Sequence, residues 1–199
     1  MSTVFTDPSA VVPTGLVADE FVLRPILATD AQRDHAAVVE TTDDLRLWEQ
    51  STWPADGFTV EENRVDLVDL EERHRAHRAF TFTVLDPDDT ECLGCVYIFP
   101  TTAGFLAKCE VIAVADAAWA DVDAVVYFWA RASRVATGMD ERLLAALRAW
   151  FSEEWRFDTA VYAASEPFVR QLELIRGTDL ALQFELREPD KPAPYLLFG

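Results

Sequence analysis

Two pairs of potential ligands stand out along the chain. Cys92 and Cys95 form a CxxC in ECLGCVYIFP, and His74 and His77 share one helical face in ERHRAHR. A CxxC can hold zinc or carry thiol–disulfide chemistry, and a histidine pair on one face can bind a transition metal. Each pair lacks its complement. Zinc needs a second pair of ligands, and none stands at a suitable spacing. The CxxC segment also reads as a strand, which points Cys92 and Cys95 to opposite faces. The histidines have arginines on both sides and no interleaved carboxylate, the pattern of a solvated helix end. The cysteines are therefore expected as buried structural thiols, and no metal is expected.

The elements that position the chemistry belong to one domain. The chain has 199 residues, of which 50% are hydrophobic and 12% aromatic, so it is folded rather than disordered. Its longest apolar run, Ala124 to Ala130, falls far short of the ~20 residues of a membrane span. The start, MSTVFTDPSAVVPTG, has no basic region ahead of an apolar stretch, so a cytoplasmic protein is expected. A net charge of −18 repels phosphate backbones and anionic membranes, which argues against nucleic-acid and membrane partners. A cationic ligand suits that field.

Phe21 to Ile26 reads as a strand, and Thr29 with Gln32 as the capping box of a first helix. LRLWEQSTWPADGF is expected as a loop around Pro54 and Gly57. Thr59 with Glu62 opens a charged helix to about Arg78. Phe80–Leu85 and Cys92–Phe99 form a hairpin around DPDDTE, and about Pro100 to Ala120 reads as irregular, with KCEVIAV an optional short strand outside the count. Val122–Arg131 is the most apolar strand and should be central. Thr137 with Asp140 is expected to cap a helix whose stripe is Met139, Leu143, Leu147 and Trp150 or Phe151. A strand at Thr159–Ala164, a helix closed by Gly177, and strands at Leu180–Leu186 and Tyr195–Phe198 complete the order. That order predicts a single α/β domain over residues 1–199, with 1–19 as an N-terminal extension. Its sheet is mixed, mostly antiparallel and of six to seven strands, with helices on both faces.

From Phe21 to Phe198 this order resembles the GNAT superfamily of acyl-CoA-dependent N-acyltransferases. LRPILATDAQ is similar to the family's opening strand and helix, and FTFTVLDPDDTECLGCVYIF to its second and third strands. VDAVVYFWARASRVATGMDERLLAAL takes the place of its signature strand–loop–helix, and LRLWEQSTWP…FTVEENRVDL is similar to a bacterial GNAT-like subgroup. In that signature, loop amides and a helix N-terminus cradle the pyrophosphate of coenzyme A. The family pattern is Gln or Arg, two residues, Gly, one residue, then Gly or Ala. With Leu143 and Leu144 aligned, Gly138 falls on the first glycine, Asp140 on the second and Val135 on the Gln/Arg position.

The resemblance implies acetyl-CoA as acyl donor and a small-molecule amine as acceptor, with a homodimer possible. It assigns donor binding to Trp129, Arg131, Arg134, Thr137 and Gly138. A carboxylate on or near the fourth strand would be the base, which gives Asp123 and then Glu110. The family's acid tyrosine is missing from EPFVRQLELIRG, which leaves Tyr127 or Tyr162 from the sheet as the substitute, Tyr127 first. Trp48, Glu49 and Trp53 border the acceptor pocket, and aromatic walls with a carboxylate suit an amine on an apolar body. Two functions remain open. In one, Arg131 and Arg134 offset Asp140 and the chain transfers an acyl group. In the other, the fold persists as a catalytically altered or non-catalytic ligand-binding or dimer-forming module.

Overall fold

The computed structural model describes residues 5–199. Its strands are β1 (Leu16–Val17), β2 (Val22–Pro25), β3 (Phe80–Leu85), β4 (Cys92–Phe99), β5 (Glu110–Ala113), β6 (Ala124–Ala130), β7 (Ala160–Ser165), β8 (Leu182–Arg187) and β9 (Tyr195–Phe198). Its α-helices are α1 (Ala31–Glu40), α2 (Thr42–Glu49), α3 (Val60–Arg75), α4 (Ala132–Val135), α5 (Met139–Trp150) and α6 (Val169–Arg176). One nine-stranded sheet runs β1-β2-β3-β4-β6-β7-β9-β8-β5. Among the described residues only β6 and β7 pair in parallel. The sheet is mixed and mostly antiparallel, with more strands than the six to seven read from the sequence because short β1 and β5 add an edge at each end. Among the described residues no helix is long and apolar enough to cross a membrane.

Both faces of the sheet are covered. The stripe Met139, Leu143, Leu147 and Trp150 of α5 packs on Phe82, Val96, Val126 and Phe128, joined by Leu172 and Ile175 of α6. On the opposite face Ala37, Val38, Leu45 and Leu67 of α1–α3 cover Cys92, Cys95 and Trp129. The rest of that face, toward β8 and β9, carries Val125, Tyr127, Phe184 and Leu197.

Several local expectations change. Leu85 pairs with Cys92 while Val84 pairs with Gly94, so Leu93 is an extra residue in β4. This bulge shifts the alternation by one, and both thiols reach the same face. Burial raises the thiols of Cys92 and Cys95 well above the ordinary range. His74 is packed edge-on against Phe80 and Phe82, with centroids 5.1 and 5.0 Å away, rather than solvated, and Nδ1 accepts the Thr81 N–H. Among the described residues no group of three metal-ligating side chains converges.

The helix starts differ too. The Thr59–Glu62 box forms as read. At the first helix, however, a 3-10 turn over Ala28–Asp30 comes first, and buried Asp30 accepts from Leu27 N–H, Arg24 and Arg33. At α5 the cap position is Gly138, at φ 74°, while the Thr137 hydroxyl turns back to the Arg134 carbonyl at 2.7 Å. The segment around Trp48, expected as loop, is the last turn of α2.

Candidate functional site

A cavity of about 430 Å³ opens where the end of α2 meets β4, β6 and the β8–β9 connection. Alternation along β4 sends Tyr97 and Phe99 to the same side, and β6 adds Tyr127 between them and Tyr195 of β9. Trp48 closes the wall, its ring 5.7 Å from Tyr97 and 6.2 Å from Tyr127. Phe105 lies edge-on to Phe99 at 4.9 Å, and Tyr195 edge-on to Tyr127 at 5.7 Å. Trp53 also lines the space. These tilted rings offer both faces and edges, the surface that attracts an apolar body with a cationic head.

The polar groups are few and specific. Glu49 and Glu188 both line the cavity. Lys191 Nζ lies 2.9 Å from Glu49 Oε1 and also donates to the Glu49 carbonyl. Glu49 Oε2, the Tyr127 hydroxyl and Trp48 Nε1 are buried without a hydrogen-bond partner. Tyr127 itself is 7% exposed. Such groups cost free energy when left unpaired, and all three belong to residues that line the cavity. Burial raises the Glu188 carboxyl, Glu49's charge adds to the rise, and Lys191 opposes it. Arg73, at the rim, pairs with Asp69. Two carboxylates against one lysine leave one negative charge uncompensated.

The other candidate region is the head of α5. Strands β6 and β7 pair only from Ala124 to Val126, so Tyr127–Ala130 leave an open strand edge. That gap is filled from within. Gln171 Nε2 donates to the Phe128 carbonyl at 2.8 Å. Arg170 reaches the Val135 carbonyl at 3.0 Å and Asp140 Oδ2 at 3.1 Å. About 20 Å³ remains, room for roughly one water.

The loop after β6 is equally engaged. The N–H of Arg131 donates to Leu93 O, that of Ala132 to Thr41 Oγ1, and that of Ser133 to Glu40 Oε1 at 2.9 Å. Those of Arg134, Val135, Thr137 and Gly138 donate to carbonyls of the loop itself. Arg131 holds Glu40 at 2.7 Å, Arg134 pairs with Glu91, and Arg142 with Glu20. The Arg131 and Ser133 hydrogen bonds hold the Glu40 carboxyl down at about 2. A diphosphate needs free amides and spare positive charge. In this placement the loop amides and arginines named above are engaged by the chain's own groups, and Asp140 and Glu141 stand on the first turn of α5.

The sequence-derived residues thus fall in five places. Trp48, Glu49, Trp53 and Tyr127 meet at the cavity. Arg131, Arg134, Thr137 and Gly138 meet at the loop, while Trp129 is buried beneath α1–α3, its Nε1 donating to the Tyr97 hydroxyl at 3.3 Å. Asp123 lies at the other end of β6, where Oδ2 accepts from the amides of Asp158 and Thr159 at 2.7 and 2.9 Å. That carboxylate ties β6 to β7 and does not line the cavity. Glu110 begins the edge strand β5, exposed and outside the cavity. Sequence reasoning missed Tyr97, Phe99, Phe105, Glu188, Lys191 and Tyr195. The aromatic pair at i and i+2 on β4 was the one available signal; the others come from distant loops and from the start of β9.

No protein-family model and no curated protein matches the sequence. Solved structures do match its fold. The ribosomal-protein-S5-alanine acetyltransferase of Vibrio fischeri aligns with a TM-score of 0.65 at 16% identity, over 94% of this chain and 95% of that one. RimJ of Mycobacterium smegmatis in complex with CoA-disulfide gives 0.65 at 16%, over 89% and 80%. The microcin C7 self immunity acetyltransferase MccE, in complex with acetyl-CoA and AMP, gives 0.67 at 12%, over 94% and 96%.

Proposed function

We propose, starting from the GNAT fold of this chain, that its aromatic cavity is a binding site for an organic amine carried on an apolar body. The carrying observation is that Glu49, Glu188 and Tyr127 all line one aromatic-walled space. An ammonium has N–H donors to share, and the carboxylates of Glu49 and Glu188 and the hydroxyl of Tyr127 are acceptors carried by the lining residues. The apolar body stacks on Trp48, Tyr97 and Phe105, and the uncompensated carboxylate matches a single positive charge. About 430 Å³ suits a small amine, or the amino terminus of a peptide with an apolar first residue. The second form corresponds to the ribosomal-protein acetyltransferases that share the fold.

A second reading adds N-acyl transfer from acyl-CoA to that amine. It is favoured by the fold, since the similar structures are acetyltransferases and two of them hold CoA-disulfide or acetyl-CoA. In that reading Glu188, whose carboxyl is raised by burial and by Glu49, is the group placed to take the ammonium proton. Calorimetric titration with phenethylamine, tryptamine, hexylamine and an apolar N-terminal peptide tests the binding. Mass spectrometry of the same mixtures with acetyl-CoA tests the transfer. Saturable binding by at least one aryl or alkyl amine is expected; no heat from any of them at millimolar concentration would contradict the proposal.

A further inference from the structure

We propose that this chain carries its own replacements for coenzyme A: Glu40 at the loop after β6, and Gln171 in the gap between β6 and β7. The inference rests on the GNAT fold, takes the amine cavity as it stands, and bears on whether transfer accompanies binding.

Glu40 does at the loop what a phosphate would do. One carboxylate oxygen accepts the Ser133 amide at 2.9 Å and the other the Arg131 guanidinium at 2.7 Å. This is an anion bound by a backbone N–H and an arginine, the usual composition of a phosphate site. Gln171 is the counterpart in the gap. It is 4% exposed, and its carboxamide N–H meets the strand-edge carbonyl of Phe128 at 2.8 Å, where an extended ligand amide would otherwise pair. Arg170 closes the space between them by joining α6 to Val135 and Asp140.

Tethering makes these replacements hard to displace. A group on the same chain competes at an effective concentration of about millimolar or higher, without the entropy cost of bringing in a separate molecule. An incoming diphosphate would have to expel Glu40 from Arg131 and then face Asp140 and Glu141 on α5. An acyl-pantetheine arm would have to expel a buried amide from a gap with room for roughly one water. The amine cavity shares Trp48 with this gap but is open without either displacement.

The test titrates the full chain with CoA and acetyl-CoA to about 1 mM by calorimetry. Amide NMR spectra follow the Ser133 backbone N–H and the Gln171 side-chain NH₂ in parallel. The expected result is no saturable heat and no movement of either signal. Saturable binding with shifts at Ser133 and Gln171 would overturn the proposal. In the double variant Glu40→Ala, Gln171→Ala, the Ser133 amide is expected to respond to inorganic pyrophosphate. A folded variant whose Ser133 signal ignores pyrophosphate would also overturn it, because removing the replacements would have exposed no anion site. Phenethylamine added to the same wild-type sample reports on the cavity separately, so failure of the amine reading and failure of this one remain distinct.

Discussion

Tyr127 lines the cavity, and its buried hydroxyl has no hydrogen-bond partner, an arrangement that costs stability unless a ligand supplies one. Tyr127→Phe is therefore expected to leave the melting temperature unchanged or raise it slightly, while amine affinity falls roughly threefold to tenfold. A structural role for the hydroxyl would produce the reverse pattern, lost stability with affinity intact. Glu188 gives the binding a pH dependence. Its carboxyl is raised, so it becomes neutral at a higher pH than the ordinary ~4.3, and cation affinity is lost as pH falls through that point. Glu188→Gln should weaken binding at pH 7 by roughly tenfold, on the scale of one charge-assisted hydrogen bond, and flatten the acid limb of the profile. An unchanged limb would assign it to another group.

Asp34 affects stability rather than binding. It is buried, accepts from Asn63 at 2.9 Å, and is raised to about 6, chiefly by burial. The folded chain then holds this proton more tightly than the unfolded chain. The resulting stabilisation is fully present below the unfolded value of ~3.9 and is lost as pH rises through about 6. Asp34→Asn removes that loss. The stability difference between variant and wild type should move in the variant's favour by roughly 2–3 kcal/mol between pH 4 and pH 7. Denaturant curves at the two pH values measure it, and a constant difference would mean that Asp34 does not titrate in this window.

Among the elements, β4 sets the geometry of the site. Its bulge at Leu93 brings Gly94 against β6, where an added Cβ would meet the Trp129 carbonyl at 2.2 Å. Backbone must shift to relieve that contact. Gly94→Ala should therefore cost several kcal/mol, above the ~1–3 typical of overpacking, with loss of amine binding as Tyr97 moves. A cost below ~1 kcal/mol by denaturant titration would show that the strand gives way easily. The hairpin, the α5 stripe and the Thr59–Glu62 box were legible in the sequence because each depends on neighbours within a few residues. The bulge was not legible, because one extra residue in a strand leaves no compositional mark and inverts every side chain before it. The capping pattern at Thr137 misled for a related reason. The hydroxyl had a nearer acceptor in the Arg134 carbonyl, and Gly138 takes the left-handed cap.

For the whole molecule, composition and order of elements were enough for the α/β architecture and its antiparallel majority. The site was only half legible. Trp48, Glu49 and Trp53 are close in sequence, but Glu188 and Lys191 reach the cavity from the far end of the chain. The engagement of the loop by Glu40 likewise depends on a contact across 91 residues. The −18 charge adds a long-range attraction for cations, which is screened over ~10 Å at 0.1 M salt.

The most direct test of the amine cavity is a calorimetric comparison of wild type with Glu49→Gln, using the best amine of the panel at pH 7. The glutamine keeps a carbonyl acceptor for Lys191 but removes the charge facing the ligand. The expected result is one-to-one binding by wild type, weakened at least tenfold in a variant with an unchanged fold, which is at least ~1.4 kcal/mol. Equal affinity in the two proteins, or no amine binding by wild type, would contradict the cavity's role as a cation site.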